Sequence, residues 1–150
     1  MRHAQAQLSQ YGINDRERSI TLAGMHELDA LRPKLRNKLS DVQLVLCSNA
    51  RRTRQTLDGI RHLLPTTLEI IYEDAIYNAS KDFLIKTFHS LTDTVSTVMI
   101  VGHNPGLTEC VQQVRSFAIP TGSIVMMDVP VNRWVDLQFS FAKIAMVITP

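Results

Sequence analysis

The sequence predicts an α/β protein in three layers, a mainly parallel mixed β-sheet covered by helices on both faces. Three observations carry this. Short apolar runs alternate with amphipathic helical stretches along the first two thirds of the chain, a pattern that builds a parallel sheet with helical crossovers. The last third changes to β-rich runs joined by short polar or proline-containing connections. At 150 residues and 45% hydrophobic content the chain suits one domain, residues 1–150, with a core of its own.

The elements follow in order. Thr21 is placed to cap a helix whose apolar positions Leu22, Met25, Leu28, Leu31 and Leu35 keep three- and four-residue spacing, with a kink expected at Pro33. Residues 42–47 form a strand, and residues 50–64 a helix with Thr53, Leu57, Ile60 and Leu64 on one side. Residues 68–72 are a strand; Ser80 opens a helix with Phe83, Leu84, Phe88 and Leu91 facing inward. Residues 97–102 make a further strand, and residues 106–117 a further helix. Residues 123–129, 134–141 and 144–148 are expected to be three antiparallel strands at the sheet edge.

Composition narrows the function. Sixteen basic residues against 14 acidic ones leave a net charge of +2, too balanced for a nucleic-acid surface or an anionic membrane. The longest apolar runs fall far short of the roughly 20 residues that span a bilayer. The N-terminus lacks the apolar core of a secretory signal, so a cytoplasmic location is expected. Cys47 and Cys110 stand far apart without metal-ligand spacing and are expected to be buried thiols.

The chemistry is carried by His3, His103 and an arginine-rich turn, Cys47-Ser48-Asn49-Ala50-Arg51-Arg52-Thr53-Arg54-Gln55-Thr56. All follow strand segments, and in an open α/β sheet the ligand crevice lies beyond the carboxyl ends of the strands. A neutral imidazole can attack phosphorus and form a covalent phosphohistidine. Arg2 and Arg52 can grip non-bridging phosphoryl oxygens through charge-assisted, fork-shaped bonds. Singly, each feature has a plainer explanation: a solvated terminal histidine, basic residues on an exposed helix face, a buried strand-end histidine. The turn after His103 favours function, because Gly102 permits close backbone approach and Pro105 starts a helix whose first amides would face an anion.

Taken together, Arg2-His3-Ala4, Ser48-Asn49-Ala50-Arg51-Arg52-Thr53-Arg54-Gln55-Thr56 and Val101-Gly102-His103-Asn104-Pro105-Gly106-Leu107 resemble the histidine phosphatase superfamily, the phosphoglycerate mutase-like group. Arg18-Ser19-Ile20-Thr21-Leu22-Ala23-Gly24 resembles the family's turn before the first helix, with Ser19 where proline is usual. Ile76-Tyr77-Asn78-Ala79, Pro120-Thr121-Gly122-Ser123 and Val147-Ile148-Thr149-Pro150 resemble the short SixA-type phosphohistidine phosphatases. The resemblance covers nearly the whole chain and implies the phosphoglycerate mutase-like fold. It implies His3 as the phosphorylated nucleophile, with Arg2, Arg52 and His103 forming its phosphate pocket. Arg52 fits better than Arg51, lying four after the serine and three before the glutamine. Asp15 matches an acidic position of the SixA-type loop and is the first candidate for general acid, with Glu73 and Asp74 as alternatives. Family members begin with an apolar strand running into Arg-His; only Met1 precedes Arg2 here, so that strand is expected to be truncated, leaving backbone groups unpaired.

The expected activity is hydrolysis of phosphohistidine on a phosphotransfer protein through a phosphohistidine intermediate, without metal or cofactor. An imidazole, with a conjugate-acid pKa near ~6.5, leaves far more easily than an alkoxide. The short chain also leaves no room for insertions that would close a pocket over small substrates. Two other functions stay open: a general small-molecule phosphomonoesterase, and an inactive module that binds phosphate or phosphoprotein.

Overall fold

The computed structural model describes residues 1–9, 11, 12 and 14–150. Three strands form a parallel sheet in the order β2-β1-β3, with β1 at Leu44–Ser48, β2 at Glu69–Glu73 and β3 at Val98–Val101. An antiparallel pair, β4 (Ile124–Asp128) and β5 (Lys143–Ile148), lies beyond. The stretch from Met1 to His3 joins the two. Arg2 bridges Gly102 in parallel, the His3 N–H donates to the Gly102 carbonyl, and the Gly122 N–H donates to the His3 carbonyl. His3 is thereby fixed through its own backbone at the carboxyl end of β3.

Alternation along the strands splits the core in two. Val45 and Cys47 of β1, Met99 and Val101 of β3, and Ile124 of β4 pack with Leu28, Leu31, Leu35, Leu57 and Ile60 on one face. Leu44, Leu46 and Ile100 pack with Ile76, Leu84, Leu107 and Val111 on the other. Helices α1 (Leu22–Leu35) and α2 (Arg51–Ile60) cover the first face, and α3 (Lys81–His89) and α4 (Gly106–Gln112) the second. The three-layer α/β fold of the sequence analysis is therefore present.

Three expectations are corrected. Residues 134–141 form no strand; they make two short 3-10 turns, Trp134–Asp136 and Phe139–Phe141. Their aromatic rings close over α3, with Phe88 stacked on Trp134 at 5.7 Å and edge-on to Phe139 at 5.7 Å. α1 does start at its Thr21 cap, whose hydroxyl accepts from the Gly24 N–H, and it continues through Pro33. Its buried stripe, however, runs through Gly24, Leu28, Leu31 and Leu35, leaving Leu22 71% and Met25 42% exposed. α4 ends at Gln112, short of the expected Phe117.

The close backbone approach expected at Gly102 occurs elsewhere. A Cβ on Gly102 would meet nothing nearer than 3.5 Å, whereas one on Gly106 would lie 2.0 Å from the Ala79 carbonyl oxygen. Gly106 lets α4 sit directly on the chain entering α3. Gly106→Ala is thus expected to force two backbones apart at a cost of about 1 to 3 kcal/mol, the range for overpacked cores. Thermal melting of the variant checks this, and an unchanged midpoint would contradict it.

Met1 is buried, and its amine donates to the Ile100 carbonyl at 2.6 Å. Burial pushes that amine down to about 5. β3 and β4 do not pair with each other but flank an apolar cavity of about 530 Å³, lined by residues including Ile100, Leu107, Val111, Val125 and Trp134. No helix among the described residues is long and apolar enough to cross a membrane.

Candidate active site

β1 ends at Ser48, and the chain turns at once into α2 with Ala50 as its N-cap. The Thr53 hydroxyl fastens this turn by donating toward the Ser48 and Ala50 carbonyls, each at 2.7 Å. Helical spacing then sends Arg52, Thr53, Thr56 and Leu57 inward and leaves Arg51 and Arg54 outside. Arg54 lies over the Tyr72 ring and donates to the Asn49 side chain. Arg52 is only 2% exposed. Its Nε donates to His3 Nε2 at 3.3 Å.

The tautomer of His3 follows from its partners. Nδ1 lies 2.7 Å from the Ala4 carbonyl, which can only accept, so Nδ1 carries the proton and Nε2 presents its lone pair to the crevice. Thr56 steadies the segment, since its hydroxyl accepts from the Ala4 N–H at 2.9 Å and donates to the Arg52 carbonyl. Burial, reinforced by the charges of Arg52, Arg2 and Arg18 and opposed by the Ala4 carbonyl, lowers the His3 pKa to about 4. His3 is therefore a neutral base at pH 7.

His103 follows β3, and its ring centroid is 5.1 Å from that of His3. Nε2 is 2.8 Å from the Ser48 hydroxyl, while Nδ1 is buried with no partner among the described residues. Burial, then the charge of Arg52, lowers its pKa to about 3. Arg2 sends one terminal nitrogen to the Ile119 carbonyl at 2.8 Å and keeps a buried Nε without a partner among the described residues. The helix after His103 is less open to an anion than expected, because the Leu107 N–H is taken by the His103 carbonyl. Among the described residues, no group of three or more His, Cys, Asp or Glu side chains is placed to hold a metal ion.

Of the three candidate carboxylates, only Asp15 touches the crevice. It accepts from Arg52 at 3.1 Å, from Arg18 at 2.8 Å, and from the Tyr77 hydroxyl. The Tyr77 bond foremost, opposed by burial and helped by Arg18 and Arg52, holds its pKa at about 2. Glu73 instead caps the turn at Ala75, and Asp74 pairs with Arg16 on the surface. Sequence reasoning gave no site role to Ser48, Thr56, Arg18 or Tyr77. Tyr77 stood only inside the Ile76-Tyr77-Asn78-Ala79 element, and the Arg18 and Ser48 positions carried motif matches without a stated contact.

The depressed imidazole pKa values also set a pH dependence. Unfolded histidines bind protons from about pH 6.5 downward, whereas folded His3 and His103 resist until about 4 and 3. The unfolded state thus takes up more protons in that window, and stability falls as pH drops below 6.5. Melting curves from pH 7.5 to 4.5 should show this loss, with a smaller slope in His103→Gln. An equal slope in that variant would contradict the assignment.

No family model matches the chain. The uncharacterized protein Rv1276c of Mycobacterium tuberculosis (strain ATCC 25618 / H37Rv) is 30% identical over 151 residues, covering 92% of each chain. The uncharacterized protein ML1117 of Mycobacterium leprae is 28% identical over 150 residues, covering 92% of this chain and 90% of its own. A solved structure from Nakamurella multipartita that bears the name SixA superimposes with a TM-score of 0.78 at 28% identity, covering 98% of this chain and 91% of the other. Another named SixA, from Agrobacterium tumefaciens, has a TM-score of 0.81 at 23% identity, covering 99% and 94%. The protein histidine phosphatase SixA complexed with tungstate has a TM-score of 0.75 at 20% identity over the same shares. With the two histidines and Arg52 gathered in one crevice, the chain shares the fold of these solved SixA structures, in agreement with its motif resemblance to the histidine phosphatase superfamily.

Proposed function

We propose that the protein hydrolyses phosphohistidine carried by a phosphotransfer protein, in two steps through a phosphohistidine on His3 and without a metal ion. The observation that supports this best is the neutral His3, whose Nε2 lone pair faces the Arg52 guanidinium at 3.3 Å. In the first step Nε2, freed from the Arg52 N–H as the guanidinium turns to the phosphoryl oxygens, attacks phosphorus as the nitrogen–phosphorus bond of the substrate breaks, and the departing electron pair returns to the substrate imidazole, whose ring is protonated from solvent so that it leaves neutral. Arg52 and Arg2 hold the non-bridging oxygens and offset the charge gathering on them. In the second step water attacks the phosphorylated His3, releasing phosphate and restoring the free imidazole. His103, neutral and held by Ser48, lines the same pocket.

The leaving group supports a nitrogen-bound substrate. Asp15 enters the reaction ionised, so it is a poor proton donor until substrate phosphate draws its arginines away and adds a negative neighbour. An imidazole can leave without that help, whereas an alkoxide cannot. The experiment is a comparison of kcat/KM on a phosphorylated histidine phosphotransfer domain and on p-nitrophenyl phosphate, with and without chelator. We expect preference for the phosphoprotein and no effect of chelator; the reverse preference would make the protein a general phosphomonoesterase. If Asp15 is the acid, Asp15→Asn should slow an alkyl phosphoester far more than phosphohistidine. Equal losses would remove Asp15 from that role.

A further inference from the structure

Arg52, the residue read above as a phosphoryl ligand, spends its donors inside the protein. Beside the Nε bond to His3, one terminal nitrogen donates to the Asp15 carbonyl at 2.8 Å and the other to the Asp15 carboxylate at 3.1 Å. The carboxylate is thus an internal anion seated on the guanidinium that a phosphoryl group must use. Two anions competing for one guanidinium repel each other, so phosphate must loosen Asp15 from Arg52 as it binds.

Asp15 is itself held from two other sides. Arg18 grips it with Nε and a terminal nitrogen, each at 2.8 Å, and the Tyr77 hydroxyl donates to the same oxygen that faces Arg52. Tyr77 follows the 3-10 turn Asp74–Ile76 at the end of β2, far in sequence from Asp15. Its ring is fixed edge-on to His103 at 5.3 Å, under the Arg16 guanidinium at 4.5 Å and near that of Arg52 at 5.6 Å. Arg16 is in turn pinned by Asp74. Tyr77 therefore has a rigid seat from which one hydroxyl reaches the internal anion.

We propose that Tyr77 is a positioning residue that latches Asp15 onto Arg52, fixing the guanidinium for His3 and setting how readily the pocket exchanges its own carboxylate for a phosphoryl group. This rests on Arg52 as phosphate ligand. It predicts something a merely structural tyrosine would not: loss of the hydroxyl makes phosphate bind more tightly. In Tyr77→Phe, inorganic phosphate should inhibit at roughly 10-fold or more lower concentration, the worth of one hydrogen bond to a charged carboxylate. KM should fall with it, while kcat falls because Arg52 is less firmly oriented. Asp15→Asn, which removes the competing charge, should tighten phosphate by about tenfold or more.

The test is competitive inhibition by inorganic phosphate in the full chain, for wild type and both variants, with kcat and KM measured separately. Unchanged or weaker inhibition in Tyr77→Phe overturns the latch. If that variant does not fold, Asp15→Asn decides alone, and unchanged or weaker inhibition there overturns it equally. A wild type that phosphate does not inhibit overturns the Arg52 reading and the latch together; a wild type that is inhibited, with flat variants, overturns the latch only.

Discussion

His3→Ala is expected to abolish turnover while leaving the protein folded. The backbone of His3, not its ring, joins β3 to the start of β4, through Gly102 and Gly122. The ring makes two hydrogen bonds, Nδ1 to the Ala4 carbonyl and Nε2 from Arg52 Nε, each worth on the order of 1 to 3 kcal/mol, and the rest of the fold does not pass through it. Its Nε2, by contrast, is the atom that must form the bond to phosphorus, and no other histidine in the crevice replaces it. His103 turns Nε2 toward the Ser48 hydroxyl and buries Nδ1. Circular dichroism and melting should therefore resemble wild type while kcat drops to background. Residual turnover within tenfold of wild type would remove His3 from the nucleophile role.

The second large effect is expected at Arg52. Arg52→Ala removes a buried guanidinium from the side of His3, whereas Arg51→Ala and Arg54→Ala remove exposed ones. Losing one preorganised donor to a developing oxyanion costs about 2 to 4 kcal/mol, or roughly 30- to 1,000-fold in kcat. The exposed arginines should change kcat/KM by only a few fold. Part of the Arg52 loss is structural, because Asp15 and Tyr77 lose a partner; Arg52→Lys separates the two. Lysine keeps the charge but not the fork, so it should recover little of the rate. Equal losses at Arg51 and Arg52 would contradict the helical register that buries one and exposes the other.

The parts of this site that were legible in the sequence are those made by local rules. Strand, turn and helix follow one another around Ser48-Asn49-Ala50-Arg51-Arg52, and a helix opened there must send one arginine inward. Likewise, β3 ending at Gly102-His103 sets that histidine at a strand end. Contacts that depend on how elements settle against each other were not legible. Tyr77 and Asp15 are 62 residues apart, and nothing in either neighbourhood specifies the other. Residues 134–141 show the same limit in the fold. Their apolar residues look like a strand, yet Trp134 is drawn onto Phe88 and its indole N–H onto the Val95 carbonyl, which favours compact turns over pairing. In α1 the spacing of leucines was right and the face was wrong by part of a turn, because Gly24 presses its Cα against the Gln5 backbone and so decides which side is buried.

The central claim is that phosphate passes through His3, and the most direct measurement is chemical trapping. A brief reaction with labelled phosphohistidine protein, quenched in alkali and digested, should place a base-stable, acid-labile phosphate on the peptide containing His3. His3→Ala should give no such adduct, and Tyr77→Phe should still give it. A label on any other residue, or the same label in His3→Ala, would contradict the account.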